Sequence, residues 1–366
     1  MELGFFTSIA LYLSVFLASG FLMYVGEKKK RYSLIILSLL LPALLAGLRL
    51  NTGTDSVTYR TFYLDLTSEG FDVSMSRIKD GTMEPFIVFL SRFSGFLHLG
   101  VNFVFFVFAL ITVVFLYLAT RKFSKKHSWL YYLVLLLVAF PDSFNIMRQL
   151  AAVAVQAFTL GYIYNNQNEG KKTNLLLVLV LIFSSTMLHY SSALLIPMLF
   201  LPFLIKHIRG RSLYCVLSIT AIACVCIFPS ILSFVSSIGL LSLKHISTLM
   251  GTPGSIINIK FAACLALTVI YLINYLRSNS RRDKFFCFLM LSGVLYSAVG
   301  FYSGYVGRLA NFFWIFIVFA AVDLLGQLTN KKYSRIIISV LLGVLYFVVY
   351  YGILGFDAVI PYSVAI

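Results

Sequence analysis

The chain has 366 residues, of which 60% are hydrophobic and only 11% are charged. Soluble domains carry roughly 25% charged residues, so this composition excludes a water-soluble globular protein. The formal net charge is +16, and its basic residues cluster between apolar runs. That pattern is a membrane-topology signal, so no nucleic-acid partner is expected.

Apolar runs long enough to cross a bilayer as helices recur along the chain. They predict an all-α polytopic membrane protein with about twelve transmembrane helices, forming one transmembrane domain over residues 1–366. The predicted helices cover residues 4–25, 33–48, 101–120, 128–141, 145–163, 174–188, 192–205, 212–231, 257–276, 285–302, 307–326 and 333–352.

Six basic clusters lie in connections that all fall on one side of the predicted membrane, and they hold 20 of the 29 Lys and Arg residues. By the positive-inside rule this side is cytoplasmic. Two long connections then face outward, residues 49–100 and 232–256. The end of the first, "MEPFIVFLSRFSGFLHLG", is amphipathic and is predicted to lie at the outer interface. Function is therefore expected on the outer face.

The stretch "PDSFNIMRQLAAVAVQ" places polar residues along one face of a predicted helix. Asn145, Arg148, Gln149 and Gln156 recur at helical spacing. Such a polar stripe inside a membrane needs a partner or a water-filled cavity. An inter-helix hydrogen-bond seam would also explain it, but Arg148 at its mouth favours an anion site.

Two further polar stretches lie near helix ends that are predicted to face outward. In "GYVGRLANFF", Arg308 and Asn311 share a helix face, although an arginine reaching to the interface would look the same. In "STMLHYSSALL", His189 lies in a short turn between two helices, where it is either a base or an ordinary interface residue.

The stretch "GLRLNTGTD" follows the second apolar run and mixes a cation, a turn and a carboxylate. Gly53 allows the turn, and a helix after it would place Asp55 and Tyr59 on one face. A plain interfacial turn is the alternative. Arg49 closes the preceding helix at the outer border of the membrane.

The helices that begin near Asn145, Ser191 and Arg308 are all predicted to run from outside to inside. Their free N–H groups and helix dipoles would favour an anion at the outer surface. Arginine suits phosphate oxygens, so an anion that reaches toward lipid through a polar slot indicates a lipid-linked phosphate or diphosphate.

Other chemistries lack their signatures in the sequence. There is no P-loop, no Asp-x-Asp pair for Mg²⁺, no Gly-x-Ser-x-Gly elbow and no Cys/His spacing for a metal. The five cysteines all fall within predicted helices and indicate no disulfide framework. No metal and no cofactor are therefore expected.

In this order, the motifs resemble the EpsG-like branch of the Wzy family, the bacterial polysaccharide repeat-unit polymerases. The matching pieces are "GLRLNTGTDSVTY" (47–59), "EPF" (84–86), "NIMRQLAAVA" (145–154), "LHYSSALLIP" (188–197) and "GRLANFF" (307–313). The resemblance extends over nearly the whole chain and implies a GT-C-like glycosyltransferase architecture.

The resemblance implies that the chain joins undecaprenyl-diphosphate-linked oligosaccharide repeat units at the outer face of the bacterial cytoplasmic membrane. Polyprenyl diphosphate would be the leaving group, and the partners would be this lipid, membrane lipid and a co-polymerase that regulates chain length. The product class would be an O-antigen, a capsule or an exopolysaccharide, O-antigen being the polymer of lipopolysaccharide.

The polar residues then take hypothetical roles. The diphosphate would be bound by Arg148, Arg308 and Arg49. The base would be His189, Asp55 or Glu84. The sugar would be positioned by Tyr59, Asn145, Gln149 and Asn311. A lipid-linked oligosaccharide flippase and an O-antigen ligase are the alternatives, although a flippase usually shows two related halves and this sequence shows none.

Overall fold

The computed structural model describes residues 2–207, 259–299, 310–329 and 332–365. These residues fold into fourteen α-helices, and their extended pairing is limited to two isolated bridges. The helices are α1 Phe5–Lys29, α2 Tyr32–Gly47, α3 Ser56–Ser68, α4 Phe71–Lys79, α5 Pro85–Phe96, α6 Val101–Phe123, α7 Ser128–Val138, α8 Met147–Asn168, α9 Leu175–Leu188, α10 Leu201–His207, α11 Ile259–Ser278, α12 Arg281–Val299, α13 Ala310–Leu328 and α14 Lys332–Tyr346.

Among these residues, five helical stretches are long and apolar enough to cross a membrane by length and composition. They are α1, α6, α11, α13 and the stretch Tyr333–Ile353, in which α14 continues as a π-helix. The all-helical membrane class is therefore confirmed. Twelve spans and a GT-C-like architecture stay predictions, and the predicted helix 212–231 lies outside the described residues.

The predicted helix 192–205 differs from the structure in its first part. Residues Tyr190–Phe200 form a 3₁₀-helix, and only then does α10 begin. Pro197 lies inside this segment. Proline has no amide hydrogen and its ring clashes with the preceding turn of an α-helix, which is consistent with the tighter form here.

The long connection 49–100 contains three short helices, α3, α4 and α5, where the sequence predicts a loop with one amphipathic segment. One guanidinium nitrogen of Arg92 on α5 holds them together. It donates to the carbonyl oxygens of Leu66 and Glu69, each at 3.0 Å, and to Ser74 Oγ at 2.9 Å. Arg92 thereby fastens the end of α3 and the first turn of α4 to α5.

The chain divides into two compact units, Met1–Leu194 with Val322–Ile366, and Leu195–Ala321. The first unit packs α1 against α2 and α7, and α6 against α2 and α8. Buried aromatic rings from distant parts of the sequence fill its core; among them are Tyr12, Phe16, Phe140, Phe144 and Phe347.

A segment after α14 returns to the stretch that follows α2, which the sequence does not predict. The Leu50 amide donates to the Ser363 carbonyl at 2.7 Å, and the Ala365 amide donates to the Leu48 carbonyl at 2.8 Å. The Tyr362 hydroxyl donates to the Leu45 carbonyl at 2.6 Å. Residues 359–365 therefore fix the backbone on which Arg49 lies.

In the second unit, α11 and α12 form an antiparallel hairpin across a two-residue turn. Tyr271 donates from α11 to the Ala320 carbonyl on α13 at 2.8 Å. Lys284 Nζ on α12 donates to the Ile205 carbonyl of α10 at 3.1 Å. These two bonds tie the helices of this unit to one another.

Candidate functional site

A buried carboxylate joins two other predicted site residues in the first unit. Glu84 Oε2 accepts a hydrogen bond from Arg148 Nη1, and Glu84 Oε1 lies 2.6 Å from His189 Nδ1. The three residues come from segments up to 105 positions apart in sequence. We call Glu84, Arg148 and His189 the Arg–Glu–His cluster.

Helix ends place all three side chains. Glu84 is the N-cap of α5, ahead of Pro85, and its carboxylate makes no capping hydrogen bond to the helix. Arg148 lies in the first turn of α8, and His189 is the C-cap of α9 with an extended backbone. Three helix ends therefore meet at the cluster.

The two loops that carry Glu84 and His189 are also tied by their neighbours. The Tyr190 hydroxyl donates to the Met83 carbonyl at 3.2 Å. Met83 and Tyr190 are the sequence neighbours of Glu84 and His189, so the two loops contact each other at two adjacent points.

The three side chains of the cluster differ in solvent exposure: the carboxylate is covered, and its two partners are partly exposed. The Glu84 side chain is 6% exposed, whereas Arg148 is 19% and His189 is 25% exposed. Burial raises the pKa of Glu84, but the hydrogen bond from His189 and the charge of Arg148 outweigh burial, so its pKa lies below the usual 4.5. The carboxylate is thus ionised at neutral pH, and His189 Nδ1 is the donor.

Two aromatic rings lie under the Arg148 guanidinium. Its carbon Cζ is 5.6 Å from the ring centre of Tyr59 and 5.9 Å from that of Phe62, both on α3. Tyr59 is only 6% exposed. These cation–π contacts help to orient the fork of Arg148.

The stretch 51–55 packs against Asn145, just before α8. Asn145 Oδ1 accepts from Thr54 Oγ1 at 3.0 Å and from the Asp55 amide at 3.3 Å, while Asn145 Nδ2 donates to the Asp357 carbonyl at 2.8 Å. Gly53 has a φ of +95°, and a Cβ there would lie 2.5 Å from the Phe144 carbonyl oxygen. The position therefore requires glycine.

Asp55 is partly exposed and is the N-cap of α3, one residue before the helix begins. Its carbonyl accepts from the Tyr59 amide at 3.0 Å, which places Asp55 one turn before Tyr59, as predicted. Asn145 is 3% exposed, and its side-chain amide joins the turn before α3 to the segment after α14.

Arg49 has surroundings that the sequence does not predict. It is 1% exposed, and its Cζ lies between the rings of Phe105 and Phe144 at 4.2 Å and 4.6 Å. Within the described part of the chain, no carboxylate lies within salt-bridge distance of it. Its Nη2 is 3.9 Å from the sulfur of Met147, the residue before Arg148. Arg49 therefore places a buried positive charge behind the start of α8.

The remaining predicted residues have three different outcomes. Gln149 is buried on α8, at 7% exposure. Asn311 lies at the start of α13 in the second unit and is 8% exposed. Arg308 lies outside the described residues. In the parts of the chain that the structure describes, no group of three or more His, Cys, Asp or Glu side chains is placed to hold a metal ion.

The structure thus defines a multi-pass helical membrane protein with an Arg–Glu–His cluster built around a buried carboxylate. A model of the EpsG family matches residues 32–364, and the chain belongs to this family. Membership indicates a glycosyltransferase-like polysaccharide polymerase of a membrane. Searches of curated proteins and of solved structures found no match.

Proposed function

We propose that the chain polymerises undecaprenyl-diphosphate-linked oligosaccharide repeat units at the outer face of the bacterial cytoplasmic membrane, and that the Arg–Glu–His cluster is its reaction centre. The observation that carries this proposal is the shared carboxylate of Glu84. It holds together an arginine that can bind a diphosphate and a histidine that can accept a proton.

The reaction is a glycosyl transfer between two lipid-linked chains. A hydroxyl oxygen of the acceptor sugar forms a bond to the anomeric carbon of the donor glycan. The bond from that carbon to the diphosphate oxygen breaks, and undecaprenyl diphosphate leaves with the electron pair. The hydroxyl proton passes to a base on the protein, so no metal or nucleotide is consumed.

Arg148 is proposed to bind the departing diphosphate. Its guanidinium is partly exposed, and its planar fork matches phosphate oxygens. It lies in the first turn of α8, where the helix dipole also favours an anion. Arg49 adds positive charge from behind this turn through a medium of low dielectric, and Arg308 is proposed as a further ligand.

His189 is proposed as the base, oriented by Glu84. Since Nδ1 donates to Glu84, the opposite ring nitrogen, Nε2, carries the lone pair that can accept a proton. An ionised partner also stabilises the imidazolium that forms. This arrangement favours His189 over Glu84 itself, whose carboxylate is covered.

The polar residues around the turn are proposed to position the sugars. Asp55 is partly exposed and held by Asn145 beside the start of α8, so its carboxylate is placed for sugar hydroxyls. Tyr59, Gln149 and Asn311 are proposed as further sugar contacts. A co-polymerase that regulates chain length is the proposed protein partner.

Deletion of the gene tests the function, because each class leaves a different product. Loss of a polymerase leaves surface glycan with a single repeat unit. Loss of a flippase removes all external repeat units, and loss of a ligase leaves full-length glycan on its lipid carrier. The first result supports the proposal, and either of the other two overturns it. Complementation with the His189→Ala variant should restore no polymer, although the protein reaches the membrane.

A further inference from the structure

A glutamine deep in α8 contacts the two residues that hold His189 by its backbone. Gln156 has no exposed surface. Its Nε2 donates to the Ser192 carbonyl at 2.6 Å and lies 3.4 Å from Ser185 Oγ. A buried amide in apolar surroundings is costly unless it is hydrogen-bonded, so these contacts decide what the residue does.

His189 is bonded to the same two serines through both of its backbone groups. Its N–H donates to the Ser185 carbonyl at 3.0 Å, and its C=O accepts from the Ser192 N–H at 3.0 Å. Ser192 Oγ also lies 3.4 Å from Ser185 Oγ, which closes the ring of contacts. Gln156 therefore braces the turn that carries His189 on both sides.

The same helix carries the arginine of the cluster. Arg148 and Gln156 are eight positions apart on α8, which corresponds to a rise of about 12 Å. Because α8 is a continuous helix, it fixes the depth of the His189 turn relative to Arg148. A shift of that turn would move the imidazole away from Glu84 and from the acceptor hydroxyl.

We propose that Gln156 is a positioning residue for the reaction, acting on His189 through Ser185 and Ser192. This inference rests on the proposed function of His189. A seam that only holds α8 and α9 together would stabilise the protein without affecting the rate per folded molecule. The two roles therefore predict different kinetics.

The test compares two buried substitutions on α8 in purified protein in lipid nanodiscs with a lipid-linked repeat unit. Gln156→Met keeps the length but removes the donor. Thr159→Val is the matched control, because Thr159 is fully buried and its hydroxyl donates to the Val155 carbonyl of its own helix at 2.8 Å. Rates are expressed per folded enzyme, with Tm measured alongside.

Gln156→Met should lower kcat by roughly 10- to 100-fold, since misplacing a reacting group by about 1 Å has effects of that size. KM should stay within about twofold, because diphosphate binding by Arg148 is untouched. Thr159→Val should keep both constants. Gln156→Asn keeps the amide but falls short of the Ser192 carbonyl, so it should also lose kcat, and it provides a second variant if the methionine form folds poorly.

An unchanged kcat in both Gln156 variants, with only Tm reduced, would overturn the positioning role. His189→Ala separates this failure from that of the proposed function. If His189→Ala is inactive while the Gln156 variants are fully active, only the inference about Gln156 fails. If His189→Ala is fully active, both are overturned.

Discussion

Arg148 and Arg49 lie close to each other in the first unit, but their surroundings differ. Arg148 is partly exposed and has an ionised partner in Glu84. Arg49 is enclosed between two aromatic rings and lacks a carboxylate within salt-bridge distance among the described residues. A guanidinium held by a carboxylate can exchange that partner for a phosphate, whereas a stacked and buried one can act only through its charge. The two arginines of the predicted anion site therefore do different things.

Removing Arg148 should have the largest effect. Arg148→Ala deletes the proposed donor to the leaving diphosphate and should lower polymerisation by about 10²- to 10³-fold, as for other preorganised donors of this kind. Polymer formed from a lipid-linked repeat unit is the readout. Arg77→Ala is the matched control, since Arg77 is a partly exposed arginine paired with a glutamate, Glu69, and it should remain active.

Gly53→Ala should have the next largest effect, on stability. The new Cβ would meet the Phe144 carbonyl oxygen at 2.5 Å in addition to an unfavourable φ. The expected loss is about 1–3 kcal/mol in the free energy of unfolding. Gly81→Ala separates the two causes, because Gly81 has a φ of +67° but no atom within 4 Å of an added Cβ. Equal Tm values for the two variants would show that the contact with the Phe144 carbonyl carries no weight.

Arg49→Met sharpens the comparison by removing the charge while keeping the length. Burying a charge without a paired carboxylate is costly, so with an apolar side chain of similar size Tm should hold or rise. Activity should fall by about tenfold, which is less than for Arg148, since only the field at the site is lost. Full activity with an unchanged Tm would mean that this charge does not reach the reaction.

The smallest effect concerns pH and Glu84. The pKa of Glu84 in the folded protein lies below the usual 4.5, so the ionised carboxylate stabilises the fold above pH 4.5. This contribution to the free energy of unfolding is lost as the pH falls through the folded pKa. Thermal unfolding of wild type and Glu84→Gln should show a difference that is constant near neutral pH and shrinks below about 4.5. A difference that grows on acidification would contradict the ion pair.

The sequence predicts most of the described helices because their apolar runs are long. The run predicted at 174–188 is helix Leu175–Leu188, and the turn at Gly53 is also as predicted. The helix predicted from residue 145 begins at Met147, because the Asn145 amide holds the neighbouring turn instead.

The contacts within the site could not be predicted in the same way. His189 and Glu84 are 105 positions apart in the sequence. Their residue types make both candidate bases, but the sequence does not show that they are in contact. The rings that enclose Arg49 come from α6 and from the turn before α8, so its local sequence, which is polar, suggests exposure. The segment after α14 has no motif, and only the fold shows that it holds the stretch 48–53.

The most direct test of the central claim is the reaction itself. Purified protein in nanodiscs should convert a lipid-linked repeat unit into polymer and release one undecaprenyl diphosphate for each glycosidic bond formed. His189→Ala should form neither product, Arg148→Ala should form both about 10²- to 10³-fold more slowly, and Arg77→Ala should form both at the wild-type rate. Polymer and released diphosphate at wild-type rates from His189→Ala and Arg148→Ala would contradict the assignment of the Arg–Glu–His cluster as the reaction centre.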